Sequence, residues 1–398
     1  MFFSFGKIDL KFLIYLIVYI AIQFYSNYIL YKYSEKIEEN RLLEIFLTNF
    51  GYLLIIIPEL ITKKLKYSYS PKKKIESKKN NENSKNRASK IANDINNNNI
   101  KIKDIIIFFS ICILELVVQF SFILIELLNG YYKEEYFFFE NIIWFIAPKY
   151  IFKKTYYKHQ KLAILVILII GLIRSIITIT VFDKFNYKQL LVEIFIHSGS
   201  SIFYGYIKTL IEFKYFSPFQ CCYFFGIVNT PLIIIIYFLV SHIPCNNKFL
   251  CGEKMYFDNI YSLFDNFNFN EIIFLILECL FEGIGLLTIN MIMYKFSLYH
   301  ALIPFNLTFC VINLLSGHTT ASEDIISFIC LISEIIFILI FLEIIELNFC
   351  KLNENLKRKI EERAIIEAIY NENDDEDQIV FVDREKKYYI KAKLLSKK

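Results

Sequence analysis

Apolar runs close to twenty residues long, separated by charged or Asn-rich stretches, dominate this chain. A helix needs about 20 apolar residues to cross a hydrocarbon core of about 30 Å. Ten segments meet or approach that length: 11–33, 42–62, 104–128, 137–153, 161–182, 188–211, 217–243, 271–293, 299–316 and 324–348. The fourth and ninth are short. The predicted fold is an all-α membrane protein of about ten transmembrane helices. It divides into spans one and two (1–62), a basic loop (63–103), spans three to ten (104–348) and a tail (349–398). The first run is too long for the apolar part of a signal peptide and has no small-residue cleavage site, so it is expected to be retained as a span.

Composition agrees with lipid as the second solvent. Of the 398 residues, 56% are hydrophobic and 18% aromatic, above the 45–50% apolar share usual for soluble domains. The net charge of +4 hides a strong asymmetry. With the N-terminus in the cytosol, the cytosolic segments up to the last span carry 23 Lys and Arg, the opposite side eight, and the tail adds twelve. Most of the bias lies in 63–103, but loop 149–161 and the tail agree with it. The positive-inside rule then places both termini in the cytosol. The Lys- and Asn-rich loop predicts disorder. It is either a tolerated insertion or a segment for anionic lipid, and no accompanying fold supports a nucleic-acid partner. Beyond the last span, the spacing of Leu352, Leu356 and Ile360 predicts that the tenth helix continues into the cytosol, ending at the acidic run 371–377.

The two halves of the chain resemble one another weakly. Ile113–Gln119 of span three aligns with Ile276–Glu282 of span eight at a shift of 163 residues, and a shift of 174 lays Gln23, Ser26 and Asn27 over His197, Ser200 and Ser201. Five spans per half is an odd number, so two such repeats have opposite topology. Inverted repeats of this kind place a substrate site near the midplane.

Ionisable and polar side chains at membrane depth are costly and mark candidate sites. Span three places Glu115, Gln119 and Glu126 on one face, span eight Glu278 and Glu282, span six Glu193, His197, Ser200, Ser201 and Tyr204, and span one Tyr15, Tyr19, Gln23, Ser26 and Asn27. These four stripes are expected to converge on one cavity, with Asn229 of span seven and Asn306 of span nine as further lining. Glu115 and Glu278 are candidate proton acceptors, and Arg174, the basic residue well inside a span, is a candidate partner for a lone carboxylate. Glu44, Glu59, Glu334 and Glu343 lie near span ends or on spans expected to be peripheral, and receive no role. Cys245 and Cys251 share the longest non-cytosolic loop and are a disulfide candidate. No CxxC pair or Cys/His cluster indicates a metal, and no cofactor is expected.

Three short stretches resemble the drug/metabolite transporter superfamily, especially its nucleotide-sugar-transporter-like solute carriers. They are Tyr204–Lys208 through Glu212–Pro218, Tyr157–Lys161 followed by Ile169-Ile170-Gly171, and Phe296-Ser297 to Pro304. The resemblance implies ten spans, no covalent catalysis, and alternating-access transport of a small organic solute across a Golgi, endoplasmic-reticulum or vacuolar membrane, with a homodimer left open. Nucleotide-sugar carriers meet a phosphate with basic residues, often a lysine in the ninth span. Ala301–Ser316 contains no Lys or Arg. The acidic stripes fit a cationic or zwitterionic solute, or proton coupling, better than a nucleotide sugar. The non-cytosolic loop with Cys245 and Cys251 also resembles that of the vacuolar drug-resistance transporters of the same superfamily, which handle cationic solutes and peptides. A non-transporting membrane scaffold or trafficking factor of the same fold is the competing reading. Scattered histidines argue against a membrane enzyme, and the lack of a filter-like loop argues against a channel.

Overall fold

A computed structural model describes residues 3–5, 9–32, 41–64, 102–129, 142–146, 156–180, 187–214, 216–242, 268–308, 321–347, 379–383 and 388–391, with 244, 352, 356 and 360. The helices are α1 (Leu10–Lys32), α2 (Arg41–Leu54), α3 (Ile56–Lys64), α4 (Ile102–Asn129), α5 (Lys158–Thr180), α6 (Tyr187–Phe213), α7 (Pro218–Val240), α8 (Phe269–Lys295) and α9 (Ala321–Phe341). Shorter helical pieces cover 142–146 and 298–308. Six stretches among the described residues are long and apolar enough to cross a membrane: Leu42–Ile61, Asp104–Leu124, Lys158–Ile177, Tyr187–Glu212, Pro218–Val240 and Glu271–Lys295. Leu10–Ser26 and Phe328–Phe341 are shorter apolar helices. The chain is a multi-pass, almost entirely helical membrane protein. Nearly all of the basic loop, the candidate Cys245–Cys251 disulfide, the acidic run, most of the fourth expected span and the end of the ninth, 309–316, lie outside the described residues.

The chain forms two compact units. The first contains residues 1–10, 135–185 and 316–398, so α5 and α9 belong to it. Here one expectation is corrected. The tenth span does not run to 348 and on into the tail: α9 ends at Phe341 and the chain turns into a strand. The stop is a Schellman-type cap. Ile344 N donates to Leu339 O at 2.9 Å and Glu343 N to Ile340 O at 3.0 Å, with Glu343 at φ 62°. Strand β2 (Ile345–Leu347) then pairs antiparallel with β1 (Phe3–Phe5), Phe3 opposite Leu347. His159 Nε2 lies 3.1 Å from Glu343 Oε1, and Gln160 Nε2 reaches Phe341 O at 3.5 Å. Glu343, given no role from the sequence, is thus held in the left-handed region beside a buried histidine. Strands β3 (Ile379–Asp383) and β4 (Tyr388–Lys391) form a separate hairpin. Arg174 of α5 is buried in this unit, and it and Glu334 of α9 both act electrostatically on Cys330.

The second unit, residues 11–134 and 186–315, holds α1 to α4 and α6 to α8, α1 from Lys11 onward. Its pattern is inverted relative to a water-soluble bundle. Ile14, Ile17, Ile106, Ile113, Ile234 and Ile235 are exposed, while Ser26, Asn49, Glu115, Asn229, Glu278 and Asn290 are buried. Lipid gives no hydrogen bonds, so polar groups are driven to the protein interior. Helix α2 is central. A Cβ on Gly51 would fall 2.0 Å from Cys279 O, one on Gly283 would fall 2.3 Å from Gly51 O, and one on Gly226 would fall 2.3 Å from Leu53 N. Backbones of α2, α7 and α8 therefore touch directly, the approach that small residues allow in membranes. Span two, which contributes Glu44 and Glu59 without a role from the sequence, is central: its Gly51 meets α8, and its Leu53 meets Gly226 of α7. Span two is also broken. Pro58 has no N–H and its ring would clash with the Leu54 carbonyl, so α2 stops at Leu54 and α3 restarts at Ile56. Helix α7 begins with a capping box: Ser217 Oγ accepts from Gln220 N at 3.1 Å and Gln220 Oε1 accepts from Ser217 N at 2.8 Å.

Two outcomes follow for stability. Gly51→Val should lose most folded, monodisperse protein by size-exclusion in detergent, since the clash is with backbone and overpacking even in adaptable cores costs about 1–3 kcal/mol. At the α9 cap, Glu343→Ala should be less stable than Glu343→Gly by about 1 kcal/mol, because both lose the His159 contact but only Ala keeps the left-handed strain; thermal melts of the two variants check the order.

Candidate functional site

Helix pairings in the second unit set the depth of each polar residue. Lys214 Nζ meets Asp104 Oδ2 at 3.1 Å, joining the C-terminus of α6 to the start of α4. Lys208 Nζ donates to Met293 O and pairs with Glu212 at 2.9 Å, joining the same end of α6 to the C-terminus of α8. A cation at free helix carbonyls is favourable. Phe12 of α1 packs on Phe296, and Lys295 sits 5.0 Å from the Tyr15 ring. Lys208, Lys214 and Lys295 thus mark one end of the unit. At 1.5 Å per residue, Glu115 lies about 16 Å in from Asp104, Ser26 about 22 Å from Lys11, and Glu282 about 20 Å from Lys295.

At that middle depth two groups of carboxylates are built differently. On one side, Gln119 Nε2 donates to Glu115 Oε1 at 3.0 Å, both on α4. Asn49 Nδ2 of α2 donates to Gln119 Oε1 at 2.7 Å and to Ile45 O at 2.7 Å. Thr230 Oγ1 of α7 donates to Asn49 O at 3.0 Å. The result is a relay from α7 through α2 to the Glu115 carboxylate. On the other side, Ser26 Oγ of α1 is within hydrogen-bond reach of Oε1 of both Glu278 and Glu282 on α8, the latter at 2.9 Å. Neither group has a Lys or Arg partner among the described residues.

Tyrosines connect the two groups. Glu115 and Glu282 both act electrostatically on Tyr52 of α2 and Tyr204 of α6, and Glu282 on Tyr19 of α1. Phe305 of the short helix at 302–308 packs against Tyr19 at 6.0 Å and Tyr204 at 5.2 Å, so the half-buried Asn306 beside it lies at the edge of the same region. Ser201 shares the Tyr204 face of α6, is fully buried, and its Oγ has no hydrogen-bond partner among the described residues. Asn229 on α7 is fully buried, and neither its Oδ1 nor its Nδ2 is bonded among the described residues. It lies one turn beyond Phe225, whose ring meets Phe203 of α6 at 4.8 Å, and one turn before Ile233, which packs with Leu116 of α4. It therefore faces the interior between α4 and α6.

Most residues singled out from the sequence gather here. Gln23 touches α8: a Cβ on Gly285 would fall 2.9 Å from its Nε2. Helices α6 and α8 run parallel with Lys208 beside Met293, so His197, eleven residues earlier and buried, stands on the level of Glu282. Glu193 does not join the group. It lies a further turn towards the far end and accepts from Gln189 at 2.6 Å. The side chain of Asn27 lies outside the described residues. Thr230, which the sequence offers with Asn229 as lining of span seven, bonds α2 instead, and Asn49, Tyr52 and Asn290 were not singled out. Asn290 Nδ2 donates to Cys222 Sγ at 3.1 Å, pinning α8 to α7. The available signal for Asn49 was an amide beside a glycine in the middle of an apolar run.

The chain matches no family model and no curated protein.

Asn49 carries three bonds through its side chain and carbonyl, so Asn49→Leu should destabilise the unit by about 1–3 kcal/mol, the cost of stranding the half-buried Gln119 Oε1 acceptor. A thermal midpoint by tryptophan-independent dye binding, compared with wild type, checks it.

Proposed function

We propose that the protein is a secondary transporter of the drug/metabolite transporter type, carrying a small organic solute of cationic or zwitterionic character across an internal membrane by alternating access. The observation that carries this reading is the set of three mid-depth carboxylates, Glu115, Glu278 and Glu282, without basic partners among the described residues, beside the unbonded buried amide of Asn229. A structural helix contact gains nothing from an unpaired carboxyl or an orphaned amide in a low-dielectric interior. A binding site does, because the ligand supplies the missing partner.

Chain direction supports ten spans. Helix α4 runs antiparallel to α6, since Asp104 meets Lys214 while Val118 meets Gly199. If α5 crosses the membrane, one further crossing must lie between 130 and 157, where the fourth span is expected. Part of the grouping fits an inverted repeat: spans one to three share a unit with six to eight, and span five packs with span ten in the other, but the ninth span falls with the former and the fourth with the latter. The basic end formed by Lys208, Lys214 and Lys295 supports cytosolic termini under the positive-inside rule.

The full-length protein in proteoliposomes, offered organic cations, amino acids and nucleotide sugars under an imposed pH gradient, should take up organic cations and no nucleotide sugar. Glu115→Gln and Asn229→Ala should each lower uptake at least tenfold while remaining monodisperse. Absence of flux for every class refutes transport in favour of a scaffold role, and unchanged flux in both variants refutes this site.

A further inference from the structure

We propose that Ser26, Glu278 and Glu282 form a site for one exchangeable proton held between two carboxyl groups. The inference rests on the transport reading only for its use as a coupling ion; the proton count stands on geometry. A serine hydroxyl has one hydrogen to donate and lone pairs to accept. Ser26 Oγ is within bonding reach of an oxygen of each carboxyl group. Two ionised carboxylates would both need a hydrogen from a hydroxyl that has one, and would repel each other across a single oxygen atom in a medium that screens poorly. Placing one proton on the pair resolves both difficulties. The protonated carboxyl donates to Ser26 Oγ, and Ser26 donates to the ionised one. This is the arrangement by which paired acids share a proton when like charges cannot both ionise.

The surroundings leave that proton somewhere to go. Glu278 is buried, and its second oxygen, Oε2, has no hydrogen-bond partner among the described residues. Ser201 Oγ, equally buried and unpartnered, lies on the face of α6 that turns towards this region. Among the described residues the titratable groups around the pair are Tyr19 on α1, Glu44 and Tyr52 on α2, Tyr204 on α6 and Cys279 on α8, with Glu115 of α4 acting on the same two tyrosines, Tyr52 and Tyr204. None of these is a Lys or Arg, so no fixed cation among the described residues stabilises the doubly ionised pair. On release, the O–H bond of the protonated carboxyl breaks, its electron pair stays on the carboxylate oxygen and the proton passes to water. The pair then carries two negative charges, which a cationic solute can neutralise in the proton's place. Glu115 differs, because it receives a hydrogen bond from an amide and needs no proton to satisfy its neighbours.

Infrared difference spectroscopy on the full-length protein in nanodiscs tests this without any solute. At neutral pH, wild type minus the Glu278→Gln/Glu282→Gln double variant should contain one protonated-carboxyl band and one carboxylate band. Carboxylate bands alone, or carboxyl bands alone, overturn the proposal. Ser26→Ala, which keeps both acids and removes little volume, should shift the protonated-carboxyl band to higher frequency through loss of its acceptor; no shift overturns it even if the double variant fails to fold. Raising the pH should convert the carboxyl band to carboxylate equally in sodium and in choline buffer. Loss of the carboxyl band on adding sodium alone would make this an alkali-cation site and refute the proton. These readouts are independent of flux, so a failed transport assay and a failed proton count are distinguishable.

Discussion

The second unit depends on how closely the α2 backbone approaches α7 and α8. Gly51 meets the Cys279 carbonyl and Gly283 on one side, and Gly226 meets Leu53 on the other. In water such contact would be one packing option among many, because apolar burial can drive helices together at any spacing. In lipid that driving force is absent between helices, and association relies on close van der Waals approach and interhelical hydrogen bonds. Removing the Cβ atoms at the crossing brings three backbones together and lets short side chains bridge neighbouring helices. Asn49 can reach Gln119, and Thr230 can reach the Asn49 carbonyl, because α2 is already close to α7.

That constraint explains why the polar residues divide into two groups. Helix α2 lies between α7 and α8, so Glu115 is served from the α2–α4–α7 side by amides and a hydroxyl. Glu278 and Glu282 face α1, where Ser26 is the donor they share. An unsatisfied polar group costs several kcal/mol in hydrocarbon, so each group must be completed by its own neighbours or by something that enters. The amide relay completes Glu115 largely from within. The α1–α8 pair is left short of hydrogens by one.

The sequence carried the lipid-facing pattern and the mid-depth acids because both follow from composition and period. Runs of Ile and Leu near twenty residues specify spans, and Glu115, Gln119, Glu278 and Glu282 stand out within them by charge or polarity and helical spacing. The central place of α2 was not legible. Its meaning lies in what Gly51 touches, and a lone glycine in an apolar run looks the same whether it faces lipid or a neighbouring carbonyl. The end of α9 was hidden for a related reason. Leu342–Leu347 continues an apolar helical pattern, and the residue that turns the chain is Glu343, where a glycine would have announced the cap. His159 lies far away in sequence, so its contact with that glutamate could not be read from spacing.

Glu193 shows that depth and partner, rather than residue type, separate candidates from scaffolding. It shares a helical stripe with His197, Ser201 and Tyr204, yet Gln189 one turn earlier supplies a hydrogen bond near the end of α6. Glu282, on the level of His197, has no such relief. Its neighbours along α8 are apolar or acidic, and the donor it receives comes from another helix and is shared. A carboxylate that takes a hydrogen bond from its own helix, as Glu115 and Glu193 do, keeps that donor wherever the neighbouring helix sits. One completed only through a second helix makes the α1–α8 contact depend on its charge, and so couples helix position to whatever neutralises it. That dependence is the physical requirement for a site whose occupancy moves helices.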